Sequence, residues 1–105
     1  MATIKKVELQ QLDHQHYVGI VTIQHDAADA HKPFIIRGNI KLGNEVLQPY
    51  VSHEFYHFPD SNGNLQITLP AISQLLVPDG AYFEAVLMDE VDIKSSKPIA
   101  QQQAA

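Results

Sequence analysis

The sequence predicts one all-β domain of antiparallel strands, and three observations carry that expectation. Apolar residues recur with period two in short segments, turn residues separate those segments at sandwich-like spacings, and no stretch of 3.6-residue periodicity outlasts about two turns. The 105 residues suffice for one hydrophobic core and not for two. A composition of 45% apolar and 18% charged residues belongs to a folded globular chain. The expected domain covers residues 1–100, and Gln101-Gln102-Gln103-Ala104-Ala105 reads as a flexible tail.

The first strand is expected over residues 4–12 and the second over residues 17–24. In the second, Val18, Ile20, Val21 and Ile23 make the nearly continuous apolar run of a strand covered on both sides, which predicts a central position. Phe34, Ile36, Ile40 and Leu42 then alternate with Arg37, Asn39 and Lys41 as a strand with one buried face. Gly38 within it marks a bulge or a close approach. Gly43-Asn44 is a hairpin signal, and residues 45–56 return as a strand pair interrupted at Pro49, which suits a sheet edge or a kink.

Pro59-Asp60-Ser61-Asn62-Gly63-Asn64 is a turn, after which Leu65, Ile67 and Leu69 alternate with Gln66 and Thr68 until Pro70 ends the strand. Residues 71–76 read as one short helical turn connecting the sheets. Residues 81–88 form the most hydrophobic strand of the second half, and a weaker strand is expected over residues 91–99.

In Leu76-Val77-Pro78-Asp79-Gly80-Ala81-Tyr82 the spacing Leu-x-Pro-x-x-x-Tyr matches the tyrosine corner, in which a Tyr near the start of a late strand bonds back to upstream backbone. Leu76, Pro78 and Tyr82 are therefore expected to be structural, with Tyr82 locking the crossover between sheets. Together with the segment from Asp60 to Pro70, this stretch resembles bacterial immunoglobulin-like domains of the fibronectin-III-like kind. Those carry an Asp-x-x-Gly-Asn turn, an alternating strand ending Leu-Pro, and a later Asp-Gly-x-Tyr. The likeness is limited to residues 60–88, about a quarter of the chain. It implies an immunoglobulin-like antiparallel β-sandwich of about seven strands and a role as a spacer, an adhesive module or a virion decoration. Two features depart from the pattern: no Trp fills the usual core position, and the turn does not recur after Met88.

Zero cysteines exclude disulfides, thiolate metal sites and a Cys nucleophile. The net charge is −5, and among seven Lys+Arg only Lys5-Lys6 are adjacent, which argues against a phosphate-binding face and against nucleic acid as a partner. No apolar run nears the ~20 residues of a membrane span, and Met1-Ala2-Thr3-Ile4-Lys5-Lys6 leads into no export-type apolar region. The expectation is synthesis in the cytoplasm, with no membrane partner and assembly into a virion as one destination.

His53-Glu54-Phe55-Tyr56-His57 matches H-E-x-x-H, in which a helix sets both imidazoles on one zinc ion and the Glu beside the bound water. On a strand the two histidines would stand about 13 Å apart, too far to share an ion. Pro49, Pro59 and the aromatic residues between them favour strand. A zinc hydrolase with His53 and His57 as ligands and Glu54 as catalytic base is thus the alternative reading.

His25, Asp26, Asp29 and His31 share a polar loop that reads first as a solvated connection. In an immunoglobulin topology that loop shares an end of the domain with Asp89 and Asp92, where the acidic groups could converge on a divalent cation. Asp60, Asn62 and Asn64 have Gly63 in the wrong place for an EF-hand and read as a hairpin turn. His14 and His16 read as a surface pair.

The expected function is a non-enzymatic structural or binding module without a cofactor, engaging a protein partner or itself, in a phage virion or in bacterial surface or injection machinery. A cytosolic inhibitor or adaptor binding through its loops is a third reading. The expected interaction edge is Val46, Tyr50 and Val51, with Pro49 as the edge marker.

Overall fold

In the computed structural model, which describes residues 2–29, 33–50, 56–57, 63–87 and 93–100, the strands form two four-stranded antiparallel sheets and a two-stranded pair. In chain order they are β1 (Thr3–Gln11), β2 (His16–His25), β3 (Pro33–Phe34), β4 (Ile36–Leu42), β5 (Glu45–Pro49), β6 (Tyr56–His57), β7 (Gly63–Thr68), β8 (Ile72–Ser73), β9 (Tyr82–Leu87) and β10 (Lys94–Ser95). One sheet has the order β1-β2-β7, with β8 also paired to β2. The facing sheet has the order β10-β9-β4-β5, and β3 pairs with β6. The two four-stranded sheets share one core, and the arrangement is an antiparallel β-sandwich.

β2 is central in its sheet as expected, with β1 on one side and β7 and β8 on the other; Tyr17, Val18, Val21 and Ile23 are buried, while Ile20 is half-buried. Between the sheets Val21 and Ile23 meet Ile36, Ile40 and Phe83 in one core. Gly43, at φ 59, makes the tight turn joining β4 to β5.

Irregularities set which residues face inward. In β1 the register shifts between Ile4 and Lys6, so Lys5 is an extra residue and Ile4 and Val7, three apart, are both buried. In β5 Lys41 pairs with Val46 but Ile40 with Gln48, which makes Leu47 the bulge. Between β7 and β8 the partner of Ile20 is Thr68 and that of Tyr17 is Ile72, so three residues oppose two around Pro70.

Two elements differ from expectation. Of residues 71–76, Ile72–Ser73 continue the sheet against β2 because Ile72 is buried, and only Gln74–Leu76 form a 3-10 turn, capped by Ser73 Oγ accepting from the Leu75 N–H at 3.2 Å. The last expected strand is regular only at Lys94–Ser95; beyond it the chain stays fastened to β9 by isolated bonds, with Pro98 interrupting the ladder. The expected tail, residues 101–105, lies outside the described residues.

Candidate functional site

The expected interaction edge is only partly one. β5 is an edge strand and Val46 is 51% exposed, but Tyr50 is 6% exposed and belongs to the core. The bulge at Leu47 explains the correction: residues four apart share a face on a regular strand, and one extra residue turns Tyr50 inward while Val46 stays outside. Val51 lies outside the described residues. The Tyr50 ring packs against Phe83 with centroids 5.0 Å apart, and its hydroxyl crosses to the other sheet. There it accepts from the Gly19 N–H at 2.9 Å and donates to the Pro70 carbonyl. Burial holds the Tyr50 hydroxyl above its ordinary pKa, against the lowering effect of the Gly19 N–H.

Tyr82 does not lock the crossover between sheets. Its hydroxyl donates to the Gly43 carbonyl at 2.7 Å, at the turn that ends the adjacent strand β4 of its own sheet. Pro78 holds the turn through its carbonyl, which accepts from the Ala81 N–H at 3.0 Å, while Leu76 is 48% exposed and stays out of the core. Tyr50 supplies the inter-sheet bond that the Leu-x-Pro-x-x-x-Tyr spacing led one to expect of Tyr82.

Of the zinc motif, His53 and Glu54 lie outside the described residues, and the backbone of Tyr56–His57 is extended, with His57 opposite Pro33. His25 is buried at the end of β2, and Asp26 Oδ1 accepts from the Ala28 N–H at 2.9 Å, capping the 3-10 turn Ala27–Asp29. His31, Asp89 and Asp92 lie outside the described residues, as do Asp60 and Asn62. Among the described residues no three His, Asp or Glu side chains are grouped to hold a metal. His16 pairs with Asp13, Nδ1 to Oδ1 at 2.9 Å, in the β1–β2 turn, where Asp13 Oδ1 also accepts from the Gln15 N–H at 2.7 Å. That backbone bond first, and His16 second, hold the Asp13 carboxyl below its ordinary range.

One feature escaped the sequence reading. An open groove of about 510 Å³ runs between β1 and the segment from Lys94 to Ile99, and Lys5, Lys6, Lys94 and Lys97 all line it. Among the described residues its only acidic lining residue is Glu8, whose Oε1 lies 3.4 Å from Lys6 Nζ. The described lining therefore carries four of the chain's seven cationic residues and one acidic residue, a local +3 in a chain of −5. Lys41, by contrast, is engaged elsewhere, 3.2 Å from Glu84 Oε2, and that bond holds its ammonium above the usual lysine value.

The groove's walls are two sheet edges, since β1 borders only β2 and β10 borders only β9 among the described residues. Val7 and Leu9 are buried along one side, and Ile99 packs against the core on the other. Backbone and side-chain bonds fix the second wall: Ser96 N–H donates to Phe83 O at 2.8 Å, Ser96 Oγ accepts from Phe83 N–H at 2.8 Å, and Ile99 N–H donates to Ala81 O at 2.9 Å. Linear spacing hides this cluster because its halves come from opposite ends of the described chain; only the topology, which sets the first and last strands side by side, unites them.

Comparison with protein families, with characterised proteins and with solved structures gives no match to this chain. Among the described residues no helix is long and apolar enough to cross a membrane.

Proposed function

We propose that this chain is a non-enzymatic structural or binding module that engages a protein partner or a second copy of itself. The observation that carries the reading is the groove walled by two free sheet edges, a surface suited to pairing with another backbone. Between the described sheets Phe83, Ile23, Ile36 and Ile40 fill the interior with side chains of zero exposure. The groove's four lysines are solvent-exposed, which leaves their ammonium groups open to a partner's carboxylates.

The extended backbone at Tyr56–His57 further favours this reading over zinc hydrolysis, which requires a helix through His57. An accessory role in a phage virion or in bacterial surface or injection machinery rests on the resemblance to bacterial immunoglobulin-like domains. Elemental analysis of purified protein tests the choice of class, with no stoichiometric zinc expected. One zinc per chain that is lost in His53→Ala, accompanied by metal-dependent hydrolysis, would overturn it.

A further inference from the structure

We propose that the groove between β1 and the segment from Lys94 to Ile99 takes an extended acidic peptide of a partner protein, added as a strand along the free edge of β1. This rests on the binding-module reading and names the partner's chemistry. Residues 5–10 of β1 line the groove, and past the bulge at Lys5 residues 6–10 offer regular edge for about five extended residues at ~3.3 Å each. An added strand would turn alternate side chains toward the apolar flank of Val7, Leu9 and Ile99 and bring its acids within reach of Lys5, Lys6, Lys94 and Lys97.

Lysines on sheet edges are a common defence against unwanted pairing, so their distribution matters. The other two edges of the four-stranded sheets, β5 and the β7–β8 line, contain no lysine among the described residues; a bulge with Pro49 blunts the first and the break at Pro70 the second. The edge lysines are thus concentrated where two edges meet over a groove. There they repel a basic strand, leave a neutral one with no counter-charge, and attract an acidic one. Defence and selection become the same device.

The test uses the whole protein, labelled with ¹⁵N, and three probes at low ionic strength. The first is a blocked peptide of alternating Glu and Val, about six residues long. The second has the same charge with Pro in place of Val, whose fixed φ near −65° and loss of every other N–H disfavour a pairing strand. The third is a short single-stranded oligonucleotide. The Glu/Val peptide is expected to shift amides of residues 5–10 and 94–99, to weaken as salt is raised, and to bind roughly tenfold less tightly to Lys5→Glu/Lys94→Glu.

The pair Lys5→Gln/Lys94→Gln, which adds no new charge, is expected to lose less and guards against a folding defect in the reversal. Equal binding of the Pro peptide or of the oligonucleotide would reduce the groove to an unspecific anion patch and overturn strand addition. Shifts confined to β5 would overturn the groove while leaving a binding module in place. Self-association abolished by the same lysine changes would make the occupant a second copy, and the absence of any shift would overturn the proposal outright. Failure of the module reading is seen separately, as zinc-dependent hydrolysis.

Discussion

The Tyr50 hydroxyl accepts the Gly19 N–H at 2.9 Å and donates to the Pro70 carbonyl, so that a side chain from one sheet completes the backbone ladder of the other. Leu69 N–H still reaches Gly19 O at 2.8 Å, but the bulge around Pro70 carries the return acceptor out of register, and the tyrosine oxygen bridges the gap.

Tyr50→Phe is therefore expected to destabilise the protein by about 1–3 kcal/mol, the cost of leaving a buried N–H and a carbonyl without their partner. Tyr82→Phe removes a hydrogen bond at an exposed turn, where water can replace it, and is expected to cost under about 1 kcal/mol. Urea unfolding of both variants checks the order. A larger loss in Tyr82→Phe would restore Tyr82 as the principal lock.

The same tyrosine predicts a stability change in alkali. Burial raises its folded pKa above the ordinary 10.0, so the unfolded chain gives up this proton first as pH rises. The contribution is fully present below pH 10.0 and is lost as pH climbs from there through the higher folded value. Denaturant midpoints measured across this range should fall less steeply in Tyr50→Phe than in the parent protein.

Two glycines make room for these rings, and their replacements should differ in severity. A Cβ on Gly19 would come within 2.7 Å of Tyr50 Cε2 and 2.9 Å of Phe83, whereas one on Gly38 would come within 2.1 Å of the Glu84 backbone carbonyl oxygen. Rings can shift within the core, but a carbonyl in the β4–β9 ladder cannot move without breaking pairing. Gly19→Ala is expected to cost about 1–3 kcal/mol, and Gly38→Ala more, to the point of poor folding. Comparable melting temperatures for the two variants would contradict this order.

The strands that alternate, β4, β7 and β9, were legible because a period of two survives wherever the ladder is regular. Gly38 was legible as a close approach for a related reason: a glycine inside an alternating strand has few other uses. What could not be read was what the bulges do. One extra residue at Leu47 inverts the facing of everything after it, so Tyr50 passed for an edge residue and Tyr82 for the inter-sheet lock. The lysine groove was hidden for another reason, since electrostatic convergence depends on topology and not on spacing.

The β1–β2 turn carries the acid counterpart of the tyrosine effect. Asp13 Oδ1 takes the Gln15 N–H at 2.7 Å and lies 2.9 Å from His16 Nδ1, and both interactions favour the ionised carboxylate. The folded pKa lies below the ordinary 3.8, so as pH falls the unfolded chain takes up this proton first. The turn's contribution is complete above that value and disappears as pH drops through the lower folded one. Asp13→Asn keeps an oxygen able to accept from Gln15 but loses the charge facing His16. Its unfolding midpoint should lie slightly below that of the parent at neutral pH, with the difference shrinking as the solution is acidified past 3.8. Midpoints collected from neutral to strongly acid pH decide the matter: a constant offset between the two proteins would mean that the carboxylate's charge contributes nothing to holding the turn.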